Sequence, residues 1–234
     1  MIVRDLGRAE YVPIWHAMQR FTEERDGATE DELWLVEHEP VYTLGQTGRR
    51  SHLLAPTKID VVHSDRGGQI TYHGPGQIVA YPLVDLRRLG IYVKELVFRI
   101  EQSVIQTLEA SGVDARRVRG APGVYVPWHE AAEFGDFAGV AKIAALGIKV
   151  SRGCSYHGVA LNVAMDLTPF AQIDPCGYKG LATVDLASLG VEVELADVGT
   201  RLADRLVAHL SADEPPRSLR FASDAAPDRR SSIP

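Results

Sequence analysis

The chain has 234 residues, of which 45% are hydrophobic and 24% are charged, a balance that is typical of a globular protein and excludes a disordered one. Its formal net charge of −6 disfavours a nucleic-acid-binding protein, because such proteins neutralise phosphates with basic residues. Two cysteines are too few for a secreted disulfide framework, and no apolar segment has the length of a signal-peptide core or a membrane span. We therefore expect a cytoplasmic enzyme that binds neither nucleic acid nor membrane.

Hydrophobic spacing in the first half of the chain predicts two helices and several short strands. Apolar residues at helical spacing predict a first helix over Tyr11–Glu24. A longer apolar stripe from Val93 to Leu108 predicts a second helix. Short apolar segments bounded by turn residues predict four strands, the first two joined by a turn at Pro40: 33–36, 41–44, 69–72 and 78–81.

The second half of the chain continues this alternation. Small and β-branched residues predict three further strands, at 123–126, 139–150 and 157–164. A final helix is predicted at 196–210, and the Pro-, Ser-, Asp- and Arg-rich tail at 211–234 is predicted to be disordered. Without an internal repeat or a central linker, the elements predict one α/β domain over residues 1–210 with a mixed sheet.

Residues 66–77 form the first of three segments with an unusual composition. They read Arg-Gly-Gly-Gln-Ile-Thr-Tyr-His-Gly-Pro-Gly-Gln, so four glycines surround short β segments. Such glycines let the backbone approach another group closely or adopt a positive φ. The spacing matches neither a P-loop nor a dinucleotide-binding fingerprint. Composition alone favours a tight hairpin turn over a binding loop.

The second segment, residues 139–147, contains a single lysine, Lys142, among small apolar residues. Strand alternation can turn this side chain outward to solvent, the usual environment of lysine. If it points inward, loss of hydration lowers its pKa and makes it usable as an acid or a base. The residues themselves leave both alternatives open.

The third segment, residues 173–177, places Cys176 between a proline and a glycine, on a turn where a thiol can be exposed. Most unpaired cysteines are inert and buried, and Cys154 is the weaker candidate by the same test. No zinc site is expected, because cysteines and histidines lack clustered ligand spacing. His73 and His157 each lie beside a glycine, where either can orient a carbonyl, hold a thiolate or simply bond to backbone.

Together these segments resemble the lipoyl(octanoyl) transferase family, the octanoyl-acyl carrier protein:protein N-octanoyltransferases. The first motif reads Arg66-Gly67-Gly68-x-x-Thr71-Tyr72-His73-x-Pro75-Gly76-Gln77-x-Val79-x-Tyr81. The later motifs, in the family's order, are Ala-Lys-Ile around Lys142, Gly147, His157-Gly158-x-Ala160-Leu161-Asn162 and Pro175-Cys176-Gly177. The resemblance closely covers about residues 33–189.

The resemblance implies the fold of the biotin/lipoate ligase catalytic domain, an α/β (α+β) mixed sheet flanked by helices with a smaller second sheet. It implies an acyltransferase that moves an octanoyl group from octanoyl-acyl carrier protein to a specific lysine of lipoyl domains. The implied acceptors are E2 subunits of oxo-acid dehydrogenases and the glycine cleavage H protein. No cofactor and no metal are implied, because the thioester donor is already activated.

By matching position, the resemblance implies Cys176 as the nucleophile that carries the acyl group, and Lys142 as the residue that lowers its pKa and moves protons. A cation within about 4–6 Å favours a thiolate by about one to three pKa units. The implied acyl-binding residues are Arg66, Gly67, Gly68, Gln69, Ile70, Thr71, Tyr72, His73, Ala145, Leu146, Gly147, Gly158, Val159 and Ala160, with His157 as a further candidate.

Two other functions fit parts of the pattern. An ATP-dependent lipoate ligase of the same fold would form an acyl-adenylate without needing the cysteine, although the sequence has no lysine-bearing adenylate loop. A non-catalytic binding module would use the glycine-rich segment to hold a peptide or an acyl group.

Three basic clusters have two possible roles. They are either docking sites for an acidic carrier protein or ordinary solvated surface: Arg49-Arg50, Arg87-Arg88, and Arg116-Arg117 with Arg119.

Overall fold

A computed structural model of the protein describes residues 1–131, 135, 137–174 and 181–211. The predictions for Cys176 and for the tail beyond Ser211 lie outside these residues. Within the described part of the chain, no helix is both long and apolar enough to cross a membrane. The assignment of residues 1–210 to a single domain stays a prediction.

Two β-sheets form the framework of the described residues. Their strands are β1 (Ile2–Ala9), β2 (Glu32–His38), β3 (Val41–Leu44), β4 (Asp60–His63), β5 (Ile70–His73), β6 (Gln77–Leu83), β7 (Arg116–Val118), β8 (Ala121–Pro127), β9 (Val140–Ser151) and β10 (Cys154–Asn162). The larger sheet has the order β1-β2-β6-β10-β9-β8-β7, and the smaller has the order β4-β3-β5. The β1–β2 and β3–β4 pairs are parallel and the others are antiparallel, so both sheets are mixed.

Helices cover both faces of the larger sheet. They are α1 (Tyr11–Glu24), α2 (Leu86–Leu89), α3 (Val93–Glu109) and α4 (Leu195–Leu210). The apolar stripes of α3 and α4, with Leu96 and Leu202 fully buried, pack on one face. The α1 helix packs on the other face through Met18. Burial of these stripes removes apolar area from water, which stabilises the layered arrangement.

The predicted fold class is confirmed, with a large mixed sheet, flanking helices and a smaller sheet. The predicted helix over Tyr11–Glu24 is confirmed at both ends, and the other two long helices differ from prediction by one residue at one end. The seven predicted strands are present. The strands β1, β4 and β7 were not predicted, because most of their residues are not buried and carry no hydrophobic pattern.

One of the two predicted chain connections is wrong. The first two predicted strands are joined at Pro40 as predicted, although β2 belongs to the larger sheet and β3 to the smaller. Residues 66–77 are not a tight hairpin, since β5 pairs with β3 whereas β6 pairs with β2 and β10. Strand propensity indicates that a segment forms a strand but not which strand it pairs with. The sequence therefore gave no local signal that the chain passes from one sheet to the other between β5 and β6.

Candidate active site

A narrow cavity, here called the slot, lies where β5 of the smaller sheet approaches β6, β9 and β10 of the larger one. Its cavity volume is about 40 Å³, so the slot is a narrow space. Its walls are mostly apolar. The slot is lined by Tyr11, Arg66, Gly68, Gln69, Ile70, Thr71, His73, Val79, Tyr81, Ala145, Leu146, Gly147, His157, Gly158, Val159 and Ala160.

The slot brings together residues that the sequence distributes over three segments. Every residue implied for acyl binding lines it except Gly67 and Tyr72, and His157 also lines it. Gly67 lines an adjoining cavity. The Tyr72 ring packs in the core of the smaller sheet, with its centroid 5.5 Å from those of both Tyr42 and Phe170.

Glycines allow three backbone segments to approach one another in the slot wall. The Gly67 N–H donates to the Ile148 carbonyl at 3.0 Å, so the loop at 66–68 lies along the edge of β9. A Cβ on Gly147 would lie 2.8 Å from the Gly67 carbonyl oxygen. A Cβ on Gly158 would lie 1.8 Å from the Ala80 carbonyl oxygen. The glycine-rich composition therefore reflects close backbone approach.

The buried Arg66 guanidinium ties this loop to the smaller sheet. It donates to the backbone carbonyls of Thr43, Gly67 and Gln69 and to the Thr43 hydroxyl, at distances of 2.5–3.0 Å. Charge-assisted hydrogen bonds of this kind are stronger than neutral ones. Arg66 thus contributes rigidity to the wall as well as a lining group.

Buried histidines and tyrosines form the polar side of the slot. His73 Nδ1 is 2.7 Å from Gln77 Oε1, and the Tyr11 ring stacks on His73 at 5.9 Å between centroids. Behind the wall, His38 Nε2 is 2.7 Å from the Tyr81 hydroxyl. Burial lowers the pKa of His73 to about 3 and that of His38 to about 4, so both imidazoles are neutral near pH 7. This side of the slot is polar but uncharged.

Asp65 fixes the orientation of His157, whose backbone has a φ of 60°. Asp65 accepts hydrogen bonds from His157 Nε2 at 2.8 Å, from Trp15 Nε1 at 2.8 Å and from the Tyr156 hydroxyl. Burial opposes ionisation of Asp65, but the bonds from His157 and Tyr156 outweigh it and lower the pKa of Asp65. Burial also lowers the pKa of His157. A neutral ring that donates through Nε2 presents Nδ1 as an acceptor, and this buried Nδ1 has no partner among the described residues.

Lys142 points inward, with 3% of its surface exposed, which excludes the outward alternative. Its Nζ donates to the Pro122 carbonyl at 3.3 Å and lies 5.1 Å from the Tyr125 ring centroid. Burial raises the pKa of Glu101, and the charge of Lys142 is among the influences that lower it. Lys142 lines a second cavity of about 280 Å³, which shares four lining residues with the slot: Gly68, Gln69, Leu146 and Gly147.

Of the two cysteines, Cys154 lies among the described residues, and Cys176 lies outside them. Beyond the segment that contains Cys176, the chain returns to β9 at Lys142: the Lys142 N–H donates to the Ala182 carbonyl at 2.8 Å, and the Lys142 carbonyl accepts from the Val184 N–H at 3.0 Å. Cys154 opens β10 and is 2% exposed, the environment of a packed, inert thiol.

Several site residues escaped the sequence reasoning. Tyr11, Val79 and Tyr81 line the slot, and Asp65 orients His157. Val79 and Tyr81 belong to the first family motif, which was the available signal for them. Tyr11 showed only the helical spacing of a core residue, and Asp65 had no signal, because its partners are distant in sequence.

Comparison with known proteins identifies the family. Residues 10–207 match the family model for the lipoyl protein ligase A/B catalytic domain. An octanoyltransferase of Methylibium petroleiphilum is 56% identical over 218 residues, which cover 89% of this chain and 97% of the relative. An octanoyltransferase of Bordetella petrii is 59% identical over 201 residues, which cover 86% of this chain and 92% of the relative. The chain therefore belongs to the lipoyl protein ligase A/B catalytic-domain family and, within it, to the octanoyltransferases. It is an acyltransferase, as predicted.

Solved structures of the family share the fold. A bipartite lipoate protein ligase from Thermoplasma acidophilum, studied with its E2 lipoyl domain, gives a TM-score of 0.68 at 15% identity, covering 90% of this chain and 84% of that one. A lipoate-protein ligase A bound with ATP gives 0.66 at 14% identity, covering 89% and 85%. These likenesses confirm the predicted biotin/lipoate ligase type of fold.

Proposed function

We propose that the protein transfers an octanoyl group from octanoyl-acyl carrier protein, through a thioester on Cys176, to a specific lysine of lipoyl domains. The proposed acceptors are E2 subunits of oxo-acid dehydrogenases and the glycine cleavage H protein, in the first step of endogenous protein lipoylation. The reaction takes place in the cytoplasm and needs neither cofactor nor metal. The octanoyltransferase relatives support the acyl group, and the E2 lipoyl domain of the Thermoplasma system supports the class of acceptor.

The observation that carries this proposal is the burial of Lys142 beside the slot. A lysine inside a protein is rare unless a specific role or partner maintains it there. Here its Nζ lies in a cavity that meets the slot along the backbone at Leu146 and Gly147. A group bound in the slot can therefore present its reactive end toward an ammonium.

The slot suits a medium-length acyl chain. Its mostly apolar walls give about 0.8 kcal/mol for each CH₂ that leaves water. On their side of the slot, the neutral His73 and the hydroxyls of Tyr11 and Tyr81 place no charge beside the hydrocarbon, and the Arg66 guanidinium in the wall is hydrogen-bonded to backbone carbonyls. Charged groups would make burial of the chain unfavourable unless they were paired.

In the first half-reaction, the Cys176 thiolate attacks the octanoyl thioester carbonyl. As the tetrahedral intermediate collapses, the bond to the carrier sulfur breaks and the Lys142 ammonium protonates the departing thiolate. The products are an octanoyl thioester on Cys176, the free carrier thiol and a neutral Lys142. The ammonium beside the thiol also favours ionisation of Cys176 beforehand.

In the second half-reaction, the neutral amine of the acceptor lysine attacks the Cys176 thioester. Lys142 takes the proton that the amine loses, and the Cys176 thiolate leaves. The amide product dissociates, and both groups return to their starting charges. Backbone N–H groups near Gly147 or Gly177 are proposed to stabilise the oxyanion of the tetrahedral intermediate. Removal of one such hydrogen-bond donor typically slows a reaction about 10²-fold or more.

Intact mass spectrometry after incubation with octanoyl-carrier protein alone tests the proposal. The expected result is a single octanoyl adduct, labile to hydroxylamine and formed without ATP, in the wild type but not in Cys176→Ser. Cys154→Ser, at a buried thiol, serves as the matched control and should keep the adduct. An absolute requirement for ATP would instead indicate the ligase mechanism.

Alkylation kinetics test the role of Lys142 separately. Without the nearby ammonium, the pKa of Cys176 should rise, so Lys142→Ala should shift iodoacetamide alkylation to higher pH. An unchanged alkylation profile would remove Lys142 from the mechanism. Full biological activity of Cys176→Ser would point to a non-catalytic binding module.

A further inference from the structure

A third cavity of about 370 Å³ adjoins the Lys142 cavity, and the two share Val93 at the start of α3. The two neighbouring cavities are here called the groove. Along β9, the groove passes Lys142, Leu146, Ile148 and Val150, which alternate on one face of the strand. The outer cavity is completed by Leu86, Arg87, Gly90, Ile91, Tyr92, Val93 and Gly153.

The groove is long compared with the groups that the slot must accommodate. From Lys142 to Val150 the strand advances eight residues, or about 26 Å at ~3.3 Å per residue. An acceptor lysine carries only four methylenes and reaches no further than the Lys142 cavity. The acyl chain lies on the other side of Leu146 and Gly147. A long, narrow ligand is needed to occupy the rest.

The outer end of the groove combines exposed apolar surface with positive charge. Tyr92 is 87% exposed and Val93 is 45% exposed, values that are high for such side chains. Residues 85–94 carry three cations, Arg87, Arg88 and Lys94, against the single carboxylate of Asp85, although the whole chain is acidic. Asp85 is ion-paired with Arg87 at 2.8 Å, and Arg88 lies 3.6 Å from Asp31. The exposed Lys94 therefore supplies the positive charge of the rim.

We propose that this groove holds the leaving arm of the acyl donor. The occupant is a linear chain of methylenes and amides that ends in a phosphodiester on an acidic carrier protein. Its thioester sulfur lies at Lys142, its apolar links contact Leu146, Ile148 and Val93, and its phosphate lies at the basic rim. This inference rests on the proposed function, and it separates the two halves of the donor: acyl chain in the slot, arm in the groove.

Charge and shape select this occupant. The apolar floor matches methylene segments, which gain by leaving water. A phosphate at the rim meets lysine and arginine, its usual partners in proteins. The acidic surface of a carrier protein is steered toward the same cations. Arg87, from one of the three basic clusters in the sequence, lines this groove.

A series of octanoyl donors of increasing length tests the proposal. The donors are octanoyl-N-acetylcysteamine, octanoyl-phosphopantetheine and octanoyl-carrier protein, each assayed for adduct formation by mass spectrometry. Val93→Trp narrows the groove, and Lys94→Glu reverses an exposed charge at its rim. Val12→Trp and Lys58→Glu make the same changes at exposed positions elsewhere.

The readout is kcat/KM for each long donor relative to the truncated one. Val93→Trp should lower this ratio about tenfold, equivalent to about 1.4 kcal/mol, for both long donors. Lys94→Glu should lower it about threefold and lose the effect at high salt. Both control variants should keep the wild-type ratio.

Three outcomes would overturn the inference. The first is a ratio of kcat/KM values that is unchanged in both groove variants. The second is an equal loss of kcat/KM with all three donors. The third is a change confined to the KM of the acceptor domain, which would mean that the groove binds the acceptor. Failure of the proposed function has a different signature, because then no donor acylates the wild type.

Discussion

The slot and the Lys142 cavity are neighbours that share a wall but differ in kind. In the slot, close backbone packing and neutral, hydrogen-bonded rings leave a mostly apolar space, and the Arg66 guanidinium in its wall donates to backbone carbonyls. Across Leu146 and Gly147, the second cavity is lined by the buried Lys142. Under the proposed function, acyl binding and proton transfer would take place in separate cavities that share a backbone wall. Changes on one side should therefore leave the other largely intact.

The largest expected effect is on the rate of adduct formation, through Lys142. Lys142→Met removes the charge and retains the volume, so adduct formation should slow by about 10²–10⁴, as is usual for loss of a general acid or base. The melting temperature should change little, because the replacement fills the same space. Single-turnover mass spectrometry and thermal unfolding measure the two effects. Lys149→Met, on the same strand, is the matched control. Normal turnover in Lys142→Met would mean that Lys142 does not transfer protons and that the two cavities do not differ in role.

The next effect is on the wall of the slot. Gly158→Ala places a methyl group 1.8 Å from the Ala80 carbonyl oxygen, so β10 and β6 must separate. We expect a loss of about 3 kcal/mol or more in unfolding free energy, at the upper end for overpacking. Gly27→Ala, where a Cβ meets no atom within 4 Å, should stay within about 0.5 kcal/mol. Urea titration provides both values, and equal stabilities would mean that the strands are not held rigidly.

The neutral histidines of the slot predict a pH dependence of stability. In the folded protein the pKa of His73 is about 3 and that of His38 about 4, against 6.5 when unperturbed. Below pH 6.5 the unfolded chain binds more protons, so stability falls as pH decreases from 6.5 toward 4. Each histidine contributes at most about 1.4 kcal/mol per pH unit. His38→Gln should reduce this slope, and His63→Gln, at an exposed position, should not.

Urea unfolding at pH 7.5 and pH 5 measures this slope. A wild-type stability that is flat across this window would mean that the imidazoles are charged or hydrated in the folded protein. The histidine side of the slot would then be charged or hydrated, and the contrast with the Lys142 cavity would weaken.

The smallest effect is on acyl-chain length. Each added CH₂ should improve kcat/KM about fourfold, from ~0.8 kcal/mol, until the slot is full. Ala160→Val adds volume to the wall and should shift the optimum to a shorter chain. Ala196→Val, at an exposed site on α4, should keep the wild-type preference. Assays with thioesters of four to twelve carbons measure how kcat/KM depends on chain length. A dependence without a maximum would indicate that the acyl chain binds outside the slot.

Local signals in the sequence were enough for most elements of the fold. The helices over Tyr11–Glu24 and Val93–Glu109 have regular apolar stripes, and such stripes report which face is buried. Pairing between strands was not accessible. Residues 66–77 have the composition of a hairpin, but their two strands belong to different sheets, because partners are chosen by packing across the molecule.

For the site, the sequence by itself determined the residue types and, through family motifs, the positions to consider: a lysine among small residues, a cysteine between a proline and a glycine, and a set of glycines. Only the tertiary structure decided that Lys142 faces inward, that Gly67 meets β9, and that Tyr72 belongs to another core. The physical reason is that burial and contact depend on segments far apart in the chain. A motif specifies which groups are available, whereas folding determines which of them meet.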